Sequence, residues 1–406
     1  MRDEKAFLAD AQIHTPTGLS RIGLLLHRSV PLGGNGAGRV GVSAIYDRVL
    51  VFIEADIGTG AAADEAFNSL ALAVFAHQFE HNQPYRRFAM QRGWTPRGVK
   101  SWRDIPAVPI NAFKDLTLSC RPAEESARIF MTSGTTKGGI RGQIHHTTLT
   151  VYDRSMLLNF RRRFMQGAGA GVERMAMGIL FPTETAMPNS SLAHYLELAR
   201  AECGTPDSLH WIGEAGIDIA GLYDRLDAAE RSGEPFALLG ASYGFVHLMD
   251  AMARDGRRFA LPEGSRILDT GGFKGQSREL EPDEFYGQLA DFFGVPRQRC
   301  INMYGMTELS TQFYDDGNAV CPSLKSGPHW IRSRVVDPLS GRDMPPGSMG
   351  VLVHHDLAHV NSVAAILTED AGILEEGGFR LLGRVAGAQA KGCSLAVEDF
   401  LAAARG

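Results

Sequence analysis

Apolar and polar positions alternate along the middle of the chain in a way that predicts strands separated by helices. Short apolar runs at residues 127–134, 175–182, 236–242 and 265–272 have the length of buried strands. Around them, a set of segments has helical length and spacing: residues 150–165, 191–202, 217–232, 243–254 and 282–293. This order is typical of an α/β fold built on a largely parallel sheet.

The two ends of the chain have different patterns. An apolar stripe at helical spacing lies within residues 64–97 and is broken at Pro84, and the proline-rich segment 102–114 indicates a surface loop. After about residue 330, short alternating runs joined by turns predict a small β subdomain. We therefore expect three parts: residues 1–125, a mixed region with the helical segment and the loop; residues 126–329, the α/β core; and residues 330–406, the β subdomain with a terminal segment.

The composition is that of an ordinary globular protein. Of 406 residues, 44% are hydrophobic and 21% are charged, and the formal net charge is −5. These values exclude a disordered chain, a collagen-like chain and a small disulfide scaffold, and they give no basic footprint for nucleic acid. Five cysteines without a CxxC pair suit a reducing compartment. Because no apolar run approaches ~20 residues and the start lacks a signal peptide's apolar core, we expect a cytoplasmic enzyme without a membrane span.

Residues 130–146, FMTSGTTKGGIRGQIHH, carry the strongest chemical motif. A strand that ends in consecutive hydroxyl residues and glycines presents backbone N–H and hydroxyl donors in one turn, which can surround polyphosphate oxygens. Lys137 and Arg141 would supply compensating positive charge. The GxxxxGK[ST] order of a Walker A loop is absent. The alternative is a flexible Ser/Thr/Gly linker, which the dense packing of hydroxyls and glycines between a strand and a helix disfavours.

Residues 301–308, INMYGMTE, form a second motif. An apolar strand ends at Tyr304-Gly305 and is followed by Thr307 and Glu308. An aromatic ring at this place can stack on a base, a hydroxyl can contact a phosphate, and a carboxylate can hold Mg²⁺ between phosphate oxygens. On its own the segment could equally be a strand end with a helix cap. Its position after a phosphate-type loop favours the nucleotide interpretation.

Three further patterns carry weaker signals. The glycines of GNGAGRVG, residues 34–41, match GxGxxG, but no strand directly precedes them, so a turn-rich loop is preferred over a dinucleotide site. The histidine pairs at 145–146 and 354–355 are unsuited to chelating one metal ion, since neighbours on a strand point to opposite faces. The stretch 236–249 is either core or, through its small residues, an acyl channel.

Together, the TSGTT loop and the YGMTE strand end resemble the phosphate- and adenylate-binding motifs of the adenylate-forming superfamily of acyl- and aryl-CoA ligases, luciferases and nonribosomal adenylation domains. Further segments are similar to one branch, the acyl-protein synthetases of bacterial bioluminescence: WRDIPAVPINAFK, the FP to PNSSL stretch at 181–192, DTGGFKG at 269–275 and the GR to KGCSL stretch at 383–395. The resemblance extends in order from about residue 64 to the C-terminus. It implies the large-domain fold of adenylate-forming enzymes, with mixed, largely parallel sheets flanked by helices and a small C-terminal β subdomain.

The resemblance also implies a role for each matching residue. The triphosphate of ATP would be bound by consecutive loop residues, namely Thr132, Ser133, Gly134, Thr135 and Thr136, with Lys137 beside them. Residues from four other segments would hold the adenylate and its metal ion. Gly271 and Gly272 would line the adenine pocket, Tyr304 would pack on the adenine with Gly305 beside it, and Thr307 would contact the α-phosphate. Glu308 would help to bind Mg²⁺, Asp370 would bind the ribose hydroxyls, and Arg384 matches the arginine on the hinge side.

Two departures from the superfamily pattern affect the expectation for catalysis. The loop continues TTK where the superfamily usually has TTGxPKG, so its lysine would act from a different place. Only 22 residues follow Arg384, too few for the usual mobile lid and its lysine, and we expect this lid to be lacking, as in the acyl-protein synthetase branch. Lys274 and Lys391 are candidate substitutes for the lid lysine.

The sharpest expectation for a single residue concerns Cys393. In the resembled family a cysteine near the C-terminus accepts the acyl group. We expect this thiol on an exposed terminal segment, where the neighbouring Lys391 would lower its pKa. The alternative is a buried or incidental free cysteine, which is how the other four cysteines are interpreted.

These observations predict an ATP- and Mg²⁺-dependent ligase that converts a carboxylic acid, of fatty or other apolar kind, to an acyl-adenylate. The acyl group would pass to a thiol, first Cys393 and then a partner such as an acyl reductase. One alternative is a ligase that uses coenzyme A or a carrier protein as the thiol, and a second is a nucleotide-binding regulatory protein without catalysis. The sequence identifies neither the acid nor the oligomeric state.

Overall fold

The computed structural model describes residues 39–132, 140–166, 172–273 and 275–405. The helices in these ranges are α1 (Arg39–Glu54), α2 (Ala61–His81), α3 (Gln83–Gln91), α4 (Ala112–Asp115), α5 (Thr150–Phe160), α6 (Ser191–Cys203), α7 (Ile219–Ser232), α8 (Ser242–Asp255), α9 (Pro282–Phe293) and α10 (Gly387–Arg405). None of the helices so described is long and apolar enough to cross a bilayer.

The strands in the same ranges are β1 (Val108–Pro109), β2 (Arg128–Met131), β3 (Gln143–His146), β4 (Ala176–Leu180), β5 (Leu209–His210), β6 (Ile212–Gly213), β7 (Gly216–Ile217), β8 (Phe236–Gly240), β9 (Arg266–Asp269), β10 (Cys300–Tyr304), β11 (Phe313–Tyr314), β12 (Leu324–Lys325), β13 (Ile331–Val336), β14 (Met349–Asp356), β15 (Ala365–Glu375) and β16 (Gly378–Arg384). Strands β2 and β3 form a separate hairpin, as do β6 and β7.

The first sheet has the order β5-β4-β8-β9-β10-β11, with parallel pairing from β5 to β10 and an antiparallel edge at β11. Its inner strand β8 is buried along its whole length, since helices cover both faces. Helices α5 and α6 pack on one face through Phe160 and Leu196. Helices α8 and α9 pack on the other through Phe245 and Leu289. The prediction of an α/β fold on a largely parallel sheet is confirmed.

The second sheet is antiparallel, with the order β12-β16-β15-β14-β13. Strand β16 pairs with residues 370–375 of the long strand β15, and β1 pairs in parallel with residues 366–367. The end of β1 and the end of β16 therefore meet beside the middle of β15. This junction positions the candidate site.

One hydrophobic core joins this second sheet to helices from both ends of the chain. Phe67 and Phe75 of α2, Phe88 of α3 and Phe400 of α10 share it with Trp330, which is fully buried. Residues of the predicted parts 1–125 and 330–406 thus pack together. The domain boundaries expected at 125 and 329 stay predictions.

Two segments differ from their expected structure. The segment 102–114, expected to be a loop, contains β1 and α4, because its extended Val108 and Pro109 pair with the part of β15 that β16 leaves uncovered. Residues 387–405, expected as an exposed terminal segment, form α10, because their apolar positions recur at helical spacing and face the core. The Phe400 ring lies 4.6 Å from that of Phe88.

The small residues of β8 and α8 serve packing. A Cβ at Gly240 would lie 2.8 Å from both the Cβ and the carbonyl oxygen of Leu180. At Gly244 a Cβ would lie 2.9 Å from the same oxygen. At these two glycines the backbone packs against β4, as the core interpretation of residues 236–249 expects, and the acyl channel stays a prediction.

Gly240→Ala should lower the free energy of unfolding by about 2 kcal/mol, because the added methyl group has to displace β4. Gly287→Ala is the matched control: its Cβ would meet nothing within 4 Å in the middle of α9, so it should raise stability by about 0.5–1 kcal/mol. Urea unfolding measures both. Wild-type stability in Gly240→Ala would contradict the packing interpretation.

Candidate active site

Tyr304 stands where the parallel sheet meets the antiparallel sheet. It is the last residue of β10, and its hydroxyl donates to Asp370 Oδ2 of β15 over 2.7 Å. The ring is 9% exposed and packs against Phe313 and Phe379, with centroids 5.9 and 5.8 Å away. The expected contact with adenine stays a prediction. Its contact with Asp370 brings two residues assigned to the same adenylate together.

Arg384 adds a positive charge beside Asp370 from the neighbouring strand β16. It is paired with Asp370 in the β15–β16 register, and its Nε lies 3.5 Å from Asp370 Oδ1. Its Nη1 lies 3.5 Å from Glu369 Oε2. Burial raises the pKa of Asp370, and the charge of Arg384 together with the hydrogen bond from Tyr304 partly offsets that rise. Three residues singled out from distant segments therefore form one cluster.

Glu308 is 6% exposed and lies near Asp370 and Arg384, whose charges act on its carboxyl; the junction of the two sheets at these residues and Tyr304 is called the cleft. Burial raises the pKa of its carboxyl to about 7, although its own backbone N–H and the charges of Arg384 and Lys114 act in the opposite direction. A buried carboxyl of this kind becomes a good oxygen ligand when a cation approaches. A positive charge bound beside Glu308 would therefore stabilise its ionised carboxylate.

The cleft fits Mg²⁺ bound together with phosphate rather than by protein alone. Among the residues that the structure describes, no three histidine, cysteine or acidic side chains come close enough to hold a metal ion. Mg²⁺ commonly takes one or two carboxylates and completes its shell with substrate phosphates and water. Glu308 would be the protein ligand, as the resemblance implied.

Asn111 and Lys114 also belong to this cleft, although neither was assigned a role from the sequence. Lys114 Nζ donates to Asn111 Oδ1 at 2.7 Å, and Asn111 Nδ2 donates to Glu369 Oε1. Both lie in the segment WRDIPAVPINAFK, which carries part of the family resemblance. That resemblance was the sequence signal that could have pointed to Asn111 and Lys114. The pairing of β1 with β15 is what places the two residues in the site.

Gly271 and Gly272 form the turn after β9. Their φ angles of 72° and 86° lie in the left-handed region, which glycine adopts without strain. The Gly271 N–H donates to Asp269 Oδ1 at 3.0 Å, and the Asp269 carboxylate also accepts from Asn302 Nδ2 at 2.8 Å. Asp269, which the sequence analysis did not single out, fixes the glycine turn beside the end of β10.

The hydroxyl loop is anchored at its base by Thr132. Its N–H donates to the carbonyl oxygen of Gly142, and its Oγ1 accepts from the Gly142 N–H, each at 3.0 Å. Thr307 lies nearby in the site, with Oγ1 3.5 Å from Ser191 Oγ. The remaining predicted residues of the loop and one candidate lysine lie outside the described residues: Ser133, Gly134, Thr135, Thr136, Lys137 and Lys274.

Cys393 is buried, and the expectation of an exposed thiol with a lowered pKa is wrong. The side chain is 2% exposed and packs against Val336, Val353 and Leu367 beneath α10. Burial raises the pKa of the thiol to about 11, and the nearby charge of Glu369 raises it further. Lys391 lies two positions earlier on the helix, and residues at that spacing point to different sides. Its expected role as a lid-lysine substitute stays a prediction.

Comparisons with known proteins place the chain beside one family of enzymes. The model of the family described as "Acyl-protein synthetase, LuxE" matches residues 60–402. The long-chain-fatty-acid–luciferin-component ligase of Vibrio harveyi is 26% identical over 346 residues, which cover 82% of this chain and 88% of that protein. Its namesake from Aliivibrio fischeri is 23% identical over 315 residues, covering 77% and 80%.

Among solved structures, 2-hydroxyisobutyryl-CoA ligase in the postadenylation state, in complex with 2-HIB-AMP, superposes with a TM-score of 0.59 at 17% identity. The match covers 79% of this chain and 68% of the ligase chain. At this identity the likeness concerns the fold. The predicted large-domain fold of adenylate-forming ligases is confirmed.

The raised pKa of Glu308 predicts a pH-dependent cost to stability. The folded pKa of about 7 lies above the ordinary glutamate pKa of 4.5, so wild type loses stability as the pH rises between these values. From pH 5 to pH 8 the free energy of unfolding of wild type should fall by about 2 kcal/mol relative to Glu308→Gln. Urea unfolding of both proteins at several pH values measures this difference, and parallel pH profiles would contradict the burial argument.

Proposed function

The chain belongs to the LuxE family of acyl-protein synthetases, and on that premise we propose that it uses ATP to activate a long-chain fatty acid and then passes the acyl group to a thiol. It is an adenylate-forming ligase by family and fold. The convergence of Tyr304, Glu308, Asp370 and Arg384 in one cleft is the observation that carries the proposal.

In the first step, a carboxylate oxygen of the acid attacks the α-phosphorus of ATP. The bond from that phosphorus to the bridging oxygen breaks, and pyrophosphate leaves with the electron pair. Positioning and charge neutralisation provide most of the catalysis in such displacements. When bound, Mg²⁺ on Glu308 would neutralise charge on the phosphates.

The chain's own residues hold the nucleotide in this proposal. Asp370 binds the ribose hydroxyls, and the Tyr304 hydroxyl, which already donates to Asp370, sets the direction of that carboxylate. The Gly271-Gly272 turn lies at the adenine, and Thr307 lies at the α-phosphate. The loop that starts at Thr132 surrounds the outer phosphates.

In the second step, a thiolate attacks the acyl carbon, the bond to the phosphate oxygen breaks, and AMP leaves with the electron pair. We assign the thiol to Cys393. Its Sγ lies 3.9 Å from the carbonyl oxygen of Thr368, two residues along β15 from Asp370. Because the thiol is buried with a raised pKa, α10 has to shift before Cys393 can lose its proton and reach the adenylate.

The burial of Cys393 also favours a second candidate, in which an external thiol of coenzyme A or a carrier protein accepts the acyl group. In that case Cys393 is a packing residue under α10, which is the common fate of a buried cysteine. The two candidates share the adenylation step and differ only in the acceptor. If Cys393 accepts the acyl group, the next acceptor is a partner protein such as an acyl reductase. If an external thiol accepts it, the partner is coenzyme A or a carrier protein.

Incubation with ATP, Mg²⁺ and a panel of fatty acids should give acid-dependent ATP–pyrophosphate exchange and an acyl adduct on the intact protein. Cys393→Ser should keep the exchange and lose the adduct, since only the second step needs the thiol. Cys321→Ser, at a half-buried cysteine outside the cleft, is the control and should keep both. Intact-protein mass spectrometry reads the adduct. Product formed only with added coenzyme A, without an adduct on the protein, would support the second candidate. An adduct that persists in Cys393→Ser would contradict the assignment of the thiol to Cys393.

A further inference from the structure

Lys114 is brought to the cleft by the short pairing of β1 with β15 in the second sheet. Strand β1 runs parallel to β15, with Val108 opposite Ile366 and Pro109 opposite Leu367. The Ile110 N–H then donates to the carbonyl oxygen of Leu367 at 3.0 Å, which continues the register for one more residue. The chain turns into α4 directly afterwards. Lys114 is therefore held at the level of Glu369 and Asp370.

A chain of polar contacts fixes the ammonium group there. Lys114 Nζ donates to Asn111 Oδ1 at 2.7 Å, and Asn111 Nδ2 donates to Glu369 Oε1. The other oxygen of Glu369 lies 3.5 Å from Arg384 Nη1. The Arg384 guanidinium thus contacts the Glu369 carboxylate directly, whereas the Lys114 ammonium group is linked to that carboxylate through the side-chain amide of Asn111.

We propose that Lys114 is the lysine of the adenylation step: its ammonium group contacts the phosphate oxygens of ATP and neutralises the charge that develops as pyrophosphate leaves. This inference rests on the proposed function and names the lysine that acts in its first step. Lys114 donates hydrogen bonds and transfers no proton, so the atom and electron balance of the displacement is unchanged. Charge placed in advance in a site that excludes water is worth far more than in solution.

The other lysines in the described part of the chain differ from Lys114 in their burial or their pairing. Lys325 is buried and held by Asp315 Oδ2 at 2.5 Å. Lys100 is exposed in a loop, and Lys391 is exposed on α10. The influence of Lys114 on the Glu308 carboxyl, whose pKa it lowers, agrees with a position inside the cleft.

Asn111 is a positioning residue in this arrangement. Its amide links Lys114 to Glu369, so its loss leaves the ammonium group present but free to turn away. Asn111→Ala should therefore have a smaller effect than the loss of the lysine.

The test separates the two half-reactions. Lys114→Ala should lower kcat of acid-dependent ATP–pyrophosphate exchange by about 100-fold or more. The same variant should convert synthetic acyl-AMP to the thioester within about threefold of wild type, because pyrophosphate takes no part in that step. Asn111→Ala should lose about 10-fold in exchange. Lys100→Ala, at an exposed lysine outside the cleft, should match wild type in both assays.

Three outcomes would overturn the inference, and they are distinguishable. Exchange at the wild-type level in Lys114→Ala means that another lysine acts, and Lys137→Ala and Lys274→Ala then identify it. Loss of both half-reactions in Lys114→Ala, with an unchanged circular dichroism spectrum, means that Lys114 organises the cleft instead of acting on the leaving group. Absence of exchange in wild type with every acid contradicts the proposed function itself.

Discussion

The hydrogen bond from the Tyr304 hydroxyl to Asp370 joins the two sheets, and the candidate site is arranged around it. Parallel pairing delivers Tyr304 to the carboxyl edge of the first sheet, where ligands of α/β folds bind. Antiparallel pairing places Arg384 opposite Asp370 on the second sheet. A buried polar contact of this kind is stable only while its partners are present, so the distance between the sheets is fixed where the nucleotide would lie.

Burial then sets the chemistry of the groups around this contact. Glu308 and Asp370 both have raised pKa values because they are removed from water, and both lie beside the cations of the cleft. Ionising two buried carboxyls in one cleft costs free energy, and positive charge bound with the substrate offsets that cost. Burial raises the pKa of Cys393 as well and keeps its thiol protonated beneath α10. In the proposed cycle, positive charge bound with the substrate stabilises the anions of Glu308 and Asp370. Movement of α10 then exposes the Cys393 thiol.

The sequence predicts those features of the site that depend on neighbouring residues, and it does not predict those that depend on contacts between distant segments. The YGMTE motif combines a strand end with the side chains that follow it, so Tyr304 and Glu308 could be singled out from the sequence as site candidates. Lys114 was missed, since its place depends on two residues of β1 that pair with a strand more than 250 positions later. Cys393 was misjudged because its burial comes from β13, β14 and β15, which sequence proximity to Lys391 does not reveal.

A crystal structure with a non-hydrolysable long-chain acyl-adenylate analogue tests the central claim most directly. The ribose hydroxyls of the analogue should lie within hydrogen-bonding distance of the Asp370 carboxylate, with the phosphate mimic between Glu308 and Lys114. Binding elsewhere, for instance in the polar groove of about 730 Å³ lined by Arg128 and Arg200, with the cleft beside Tyr304 unchanged, would contradict it.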